Sequence, residues 1–512
     1  MEANEKKLVA VIDLGSTAIR MVVAEVGPGQ DWRILDRAGK PVLLGRDVFS
    51  TGNVSRESLI QALKILTDFR EIITGWGIVE ENIRVIATSA LREARNRDTF
   101  IDRVHVKTGF QVEVVEGIEE NRLTYIAVQH AIEELRPQIG RSNSLIIEVG
   151  GGSTEIMLLQ RSKIVASHSL NIGTVRIEQD VPKAATPHYR VKMLGERITT
   201  MTEILDNELE MKRIRLFIAV GGHARLAALK VGKKINDLYS LIEAKQFLQL
   251  VDEIQHLSHD ECVRHLKITY DDADGLVTGL LIYRHFLDET SAEELIVPNT
   301  SIRDGILINM AQGFDPQVQE RFHYQVIASA LALGRKFHFD EDHAQHVAKL
   351  AIQLFDDFAE DHGLGNRSRL LLEVAALLHD IGSYIRFSGH HKHSQYLVSN
   401  SEIFGLHREQ IQIVSNVVRY HRKVSPQTSH TSYISLSRED RMKVLKLASI
   451  LRIADALDRG HNQRIDNFQL EKREDQLIIR CNSVGDLSSE KMSLKAKSGM
   501  FEEVFGLRVI LA

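Results

Sequence analysis

Two short stretches of the same design constrain this chain more than any other feature: VIDLGST at residues 11–17 and IIEVGGGST at 146–154. Each is an apolar run that ends on an acid, turns through glycine, and carries a serine and a threonine into the next apolar run. Such runs read as strands. Asp13 and Glu148 hold equivalent places, a compact half apart in the chain. One glycine turn alone is most simply a tight connection between two strands. Two at matched positions of two related halves point to a cleft in which phosphates are gripped from both sides. Glycine lets backbone N–H groups approach an anion, and Ser/Thr hydroxyls add uncharged donors. An acid at the strand end can hold Mg²⁺, directly or through water, and the metal neutralises phosphate oxygens. Gly15, Ser16 and Thr17 in the first turn, with Gly150, Gly151, Gly152, Ser153 and Thr154 in the second, are the candidate cradle.

The first 310 residues alternate strand-like runs (8–15, 19–26, 83–89 and 112–115) with helical patterns such as that from Ser55 to about Thr74. This predicts an α/β architecture with a mixed sheet. Beyond about residue 315 the period becomes helical; His343, Val347, Leu350, Ala351, Leu354 and Phe358 form one stripe, and LLLEVAALLHDIG (370–382) reads as a buried central helix. The last fifty residues return to strand alternation. The expected division is 1–130 (half I), 131–314 (half II), 315–460 (all-α domain) and 461–512 (small α/β domain). At 512 residues the chain is too long for one core. A net charge of −5 argues against a general nucleic-acid binder, but local basic runs such as Lys212-Arg213-Ile214-Arg215 and Lys230 to Lys234 could line a channel for a polyanion. Cys262 and Cys481 read as incidental thiols. With no cleavable leader pattern and no apolar run of membrane-spanning length, a cytoplasmic protein without a membrane partner is expected.

Several ordered motifs together resemble the exopolyphosphatase/guanosine pentaphosphate phosphohydrolase (Ppx/GppA) family, within the actin-like (ribonuclease H-like, ASKHA) fold. VIDLGSTAIRMVVAEV looks like its first phosphate motif and IIEVGGGSTEIMLL like its second; VIATSALREARNRDTFIDRV, VEVVEGIEENRLTYIAV, AVGGHARLAAL and TSIRDGILIN resemble further family segments. The resemblance implies hydrolysis of a terminal phosphoanhydride by water. Glu120 falls on the catalytic glutamate, and its acidic neighbours Glu116 and Glu119 could raise its pKa. Glu148 and Glu155 fall on metal-binding carboxylates, with Asp13 close to the same Mg²⁺ ion (Mn²⁺ being the alternative). Arg20 and Arg303 match arginines near the substrate, where forked guanidinium groups suit phosphate oxygens. Arg92 is a further candidate, set against a structural ion pair with Glu93 or Asp98. Three positions depart from the family pattern: Thr17 stands for Asn, Glu148 for Asp, and His223 for Thr.

The helical segment resembles the HD-type domain of long family members. That superfamily builds a metal site from a histidine, a His-Asp pair and a later aspartate; here His343, His379, Asp380 and Asp455 follow that order, and His391 and His393 could serve a second ion. A structural hydrogen-bonding role is the alternative. The length of the chain favours exopolyphosphatase action on inorganic polyphosphate, with guanosine pentaphosphate (pppGpp) as the alternative substrate. An actin-like ATPase or sugar kinase, nucleotide cleavage in the HD-type domain, and a polyphosphate- or alarmone-sensing protein with little turnover are the other readings. A homodimer through the helical domain is expected from the resemblance.

Overall fold

The computed structural model describes residues 6–27, 32–179, 181–182, 186–312, 316–422, 424–481 and 486–512. The chain forms two compact units, residues 1–320 and 321–512. The boundary expected after residue 314 lies outside the described residues.

In the first unit, β1 (Lys7–Leu14) and β2 (Ala18–Val26) are joined by the first glycine turn. They are followed by β3 (Trp32–Pro41), β4 (Ile83–Ala87) and β5 (Val112–Val114). These strands make a sheet of order β3-β2-β1-β4-β5, with β1 antiparallel to β2 and parallel to β4. Central β1 is apolar and buried from Val9 to Ile12, as expected for a strand covered on both faces. The helix Arg56–Gly75 starts where its pattern begins: Ser55 accepts the amide of Ser58 at 3.1 Å, an N-cap.

The plan then repeats. Strands β6 (Asn143–Val149), β7 (Thr154–Gln160), β8 (Lys163–Leu170), β9 (Ile214–Val220), β10 (Lys233–Lys234), β11 (Tyr239–Glu243) and β12 (Glu294–Pro298) form a sheet of order β10-β11-β12-β9-β6-β7-β8. Its β8-β7-β6-β9-β12 part matches the first sheet strand for strand, including the antiparallel β6/β7 and parallel β6/β9 pairings. The duplication inferred from the two turns is therefore a duplication of topology. Register carries it to the residue: Asp13 pairs with Arg20 across β1/β2, and Glu148 with Glu155 across β6/β7.

The second unit packs helices Glu341–Asp357, Asn366–Leu378, Arg408–Arg419 and Arg438–Leu457 around one apolar core. Asn366–Leu378 buries Leu370, Leu371, Leu372, Val374 and Leu378, which makes it the central helix the sequence predicts. Strands β13 (Phe468–Lys472), β14 (Gln476–Cys481) and β15 (Arg508–Leu511) close the chain. Their Ile479 and Leu511, with Leu494 and Phe501 of the adjoining helices, join the same core as Leu378. Cys262 and Cys481 are free thiols. No helix among the described residues is long and apolar enough to cross a membrane.

Candidate active site

Both glycine turns are tight hairpin connections, and both face one cleft. Gly15 N–H donates to Ala18 O at 3.1 Å, and Gly150 N–H to Ser153 O at 2.9 Å. The turns approach each other closely: a Cβ placed on Gly151 would lie 3.0 Å from Ser16 Cβ and 3.2 Å from Thr17 Cγ2. The cleft has a volume of about 620 Å³, and Asp13, Gly15, Ser16, Thr17, Arg20, Glu120, Glu148, Gly151, Ser153 and Arg303 all lie on its wall.

Four expected residues lie behind that wall. Gly152 packs against Phe49 and Ser89. The Thr154 hydroxyl is bound to Ile172 O. Glu155, 3% exposed, accepts hydrogen bonds from Ser169 Oγ at 2.8 Å and Asn121 Nδ2 at 3.3 Å. Arg92 reaches Val115 O at 2.7 Å and forms a charge-assisted hydrogen bond to Glu120, rather than pairing with Glu93 or Asp98. The basic runs around Lys212 and Lys230 are also off the wall, and their Lys212, Arg213, Arg215, Lys233 and Lys234 are exposed. The cations that do line the cleft are Arg20, Lys40, Arg225 and Arg303.

One helix, Gly117–Ala131, organises the acidic floor. It presents Glu120 directly, while Thr124 one turn on donates to Glu148 and Asn121 holds Glu155. Glu120 is not the exposed helix residue its acidic neighbours would suggest: its side chain is 12% exposed. Burial pushes its pKa from 4.5 up to about 7; Arg92 opposes the rise, and Glu148 and Asp13 add to it. Glu119 is instead engaged by Arg122 at 2.6 Å. Burial also raises Asp13 against the pull of Arg303 and Arg20, raises Glu148 against its Thr124 hydrogen bond, and raises Glu155 well above the usual carboxylate range. Asp13 Oδ1 is buried without a hydrogen-bond partner. An all-oxygen donor set with an unpartnered buried carboxylate oxygen suits a hard divalent cation.

The second unit holds a separate cluster. His379 Nε2 lies 3.7 Å from Asp380 Oδ2, and His343 Nε2 lies 4.0 Å from Asp455 Oδ1. Asp455 is already engaged by the ammonium group of Lys497. His390 Nε2, at 3.0 Å, and His421 Nε2, at 3.4 Å, flank Asp380 Oδ1; among the described residues His391 and His393, expected for a second ion, belong to neither close group of donor atoms. His390 opens the helix His390–Ser399, whose buried residues include His390, Ser394 and Val398, whereas His391 is half-buried.

A model of the Ppx/GppA phosphatase family matches residues 22–314, and one of the family's domain III matches residues 327–496. The chain belongs to the Ppx/GppA phosphatase family. A guanosine-5'-triphosphate,3'-diphosphate pyrophosphatase from Pseudoalteromonas atlantica is 25% identical over 92% of this chain and 90% of its own. The protein of that name from Photobacterium profundum is 26% identical over 94% and 93%. The crystal structure of an exopolyphosphatase from Cytophaga hutchinsonii superposes with a TM-score of 0.54 at 22% identity, over 60% of this chain and 98% of that one. That likeness bears out the two-half fold. Family membership bears out the phosphatase class.

Within this Ppx/GppA site, sequence reasoning missed Arg225, Thr124 and Ser89. Arg225 lines the cleft, donates to Thr300 O at 2.7 Å and draws the Glu148 pKa down. Ser89 shares a 3.1 Å hydrogen bond with Ser16. AVGGHARL offered Arg225 in plain view, three residues after a glycine pair that follows a strand. His223, one of the three departures, lines the same wall; burial lowers its pKa, and Nε2 rests 3.2 Å from Asp274 O.

Proposed function

We propose that this protein hydrolyses the terminal phosphoanhydride of guanosine pentaphosphate, with Glu120 as general base for the attacking water. In its ionised form Glu120 accepts the water proton as the oxygen attacks the terminal phosphorus; the bridging P–O bond breaks, guanosine tetraphosphate departs with the bridging oxygen and its electron pair, and the attacked phosphorus becomes orthophosphate. Arg92 holds Glu120 in place and favours the ionised form. Arg20 and Arg303 bind phosphate oxygens, and the two glycine turns offer backbone N–H groups. Asp13 and Glu148 would hold Mg²⁺, which when bound supplies neutralising charge for the phosphate oxygens.

One observation carries the choice of substrate. The cleft that contains Glu120 is also lined at its exposed part by Tyr270, His259, Asp271 and Asp272. Tyr270 is 59% exposed and lies 5.6 Å from the His259 ring. An aromatic face beside carboxylates suits guanine, whose N1–H and N2–H₂ groups are donors, and those carboxylates would repel a continuing polyphosphate chain. The names of the two relatives agree with this reading. Inorganic polyphosphate remains the second reading, because Arg20, Lys40, Arg225 and Arg303 give the cleft a cationic share.

Phosphate release from each substrate with Mg²⁺ ranks them. Glu120→Gln should lower kcat on both by about 10²–10⁴-fold. Tyr270→Ala should raise KM for guanosine pentaphosphate by about 5- to 100-fold, the range for losing one base–aromatic stack, and leave polyphosphate KM unchanged. Faster turnover of polyphosphate with no response to Tyr270→Ala sinks the nucleotide reading. Undiminished turnover by Glu120→Gln sinks the mechanism.

A further inference from the structure

The second glycine turn gives all its glycine carbonyls to one short helix, Thr174–Gln179. Thr174 N–H donates to Gly150 O at 3.0 Å, and the N–H groups of Val175 and Arg176 donate to Gly151 O at 2.9 and 3.2 Å. The third carbonyl, Gly152 O, is taken by a side chain instead, with Arg176 Nε at 2.9 Å. A trans peptide points its N–H opposite to its C=O. With these three carbonyls turned to the helix, the amides of Gly151, Gly152 and Ser153 face the other way, the side on which Gly151 and Ser153 line the cleft. Among the described residues none of the three amides donates to another group of the protein. Successive free amides on one side of a turn make a seat for an anion.

The three peptides are not equally secure. The first two are held by backbone N–H groups, which only a proline in the helix would remove. The Gly152–Ser153 peptide is held by one side chain, and the freedom of glycine lets it turn over at little cost. Reversed, it would aim Gly152 O at a bound phosphate and withdraw the Ser153 N–H. Two groups of the first half keep the guanidinium in place. Arg176 Nη2 pairs with Glu93 Oε1 at 2.5 Å, and its guanidinium carbon stands 4.1 Å from the centre of the Phe49 ring. Phe49 and Ser89 also close on the peptide itself: a Cβ on Gly152 would lie 2.3 Å from Phe49 Cζ and 2.5 Å from Ser89 Oγ. Since Ser89 shares a hydrogen bond with Ser16, Arg176 ties the second turn to the half that carries the first.

We propose that Arg176 is a positioning residue for the reaction: from behind the second turn it fixes the Gly152–Ser153 peptide with its N–H toward the phosphate, while Glu93 and Phe49 fix Arg176. The inference rests on the phosphate grip of the two turns proposed above. It holds for guanosine pentaphosphate and polyphosphate alike, because it concerns the phosphate and not the group attached to it. Losing one N–H contact to a charged phosphate weakens binding by about 10- to 100-fold. The side-chain bonds of Arg176 go to Gly152 and Glu93, not to Arg92 or Glu120, so the protonation of the base is left alone.

The test combines kinetics of the full-length protein on both substrates with Mg²⁺ and calorimetric binding of inorganic phosphate. Arg176→Met should raise KM for both substrates and Kd for inorganic phosphate by about 10- to 100-fold, with the acid limb of the pH–rate profile unmoved. Arg176→Lys, which keeps a cationic donor, should recover most of the loss. A side chain that only stabilised the fold would lower Tm and kcat and leave KM and Kd unchanged; that result overturns the proposal. A second measurement needs no variant to fold: the amide resonances of Gly152 and Ser153 in wild type should shift on saturation with inorganic phosphate. If they shift while Arg176→Met keeps the wild-type KM and Kd, the role of Arg176 alone is refuted. If they stay fixed while phosphate binds, the grip of the turns fails and the proposal with it.

Discussion

Arg92→Met isolates the claim that Glu120 works as a base tuned by one partner. Arg92 and Glu120 are both largely buried, with side chains 15% and 12% exposed, so water screens their interaction little. Burial lifts Glu120 to about 7 even with Arg92 pulling the other way. Methionine keeps the length of the side chain and removes its charge. Loss of an opposite charge at hydrogen-bond distance raises a carboxylate pKa by about 1–3 units. With a pKa of about 7, half of Glu120 is ionised at neutral pH; one unit higher leaves about a tenth ionised. The variant should therefore lose about 5-fold or more in kcat/KM at pH 7 and regain rate as pH rises, its acid limb moving up by at least one unit. A full pH–rate profile of both proteins, with pppGpp at fixed Mg²⁺, measures this. Val115 O loses its donor in the same variant, which should lower stability by about 1–3 kcal/mol; that cost appears in Tm and leaves the position of the limb alone. Because Arg92 is off the cleft wall, KM should change little. A raised KM with an unmoved acid limb would refute the reasoning.

Two further substitutions probe the supports. Gly173→Ala should destabilise the first unit and raise KM, because the new Cβ would sit 2.4 Å from Gly151 C, Gly151 O and Gly152 C, backbone that cannot yield without moving the second turn; a Tm and a KM both matching wild type would contradict it. Lys497→Met should lower the unfolding free energy by about 3–5 kcal/mol in a denaturant titration, since it strands a buried Asp455 carboxylate without its partner; a variant as stable as wild type would mean that Asp455 is neutralised by something else.

What was legible in the sequence is what is local. A strand ending on an acid, a glycine turn and a returning strand are all written within a few residues, so Asp13 and Glu148 could be matched and a duplicated fold inferred. The helix stripe from His343 to Leu354 was legible for the same reason. What escaped notice depends on how elements dock. Glu119 and Glu120 are adjacent and alike in composition; only the seating of the helix Gly117–Ala131 turns one toward Arg92 and leaves the other with Arg122. His390 and His391 posed the same problem. There a signal existed, since His390, Ser394 and Val398 fall at helical spacing and share the buried face. Lys497 gave none: it meets Asp455 from 42 residues away. The duplication also explains why one half could not be read from the other. At the matched register positions the first half has an acid opposite arginine, Asp13 with Arg20, and the second an acid opposite an acid, Glu148 with Glu155. The divergence leaves an arginine on the cleft wall in one half and a second buried carboxylate in the other, and Glu148 adds to the rise that burial gives the Glu120 pKa. The chemistry lies in the difference between the halves, and a search for similarity alone passes over it.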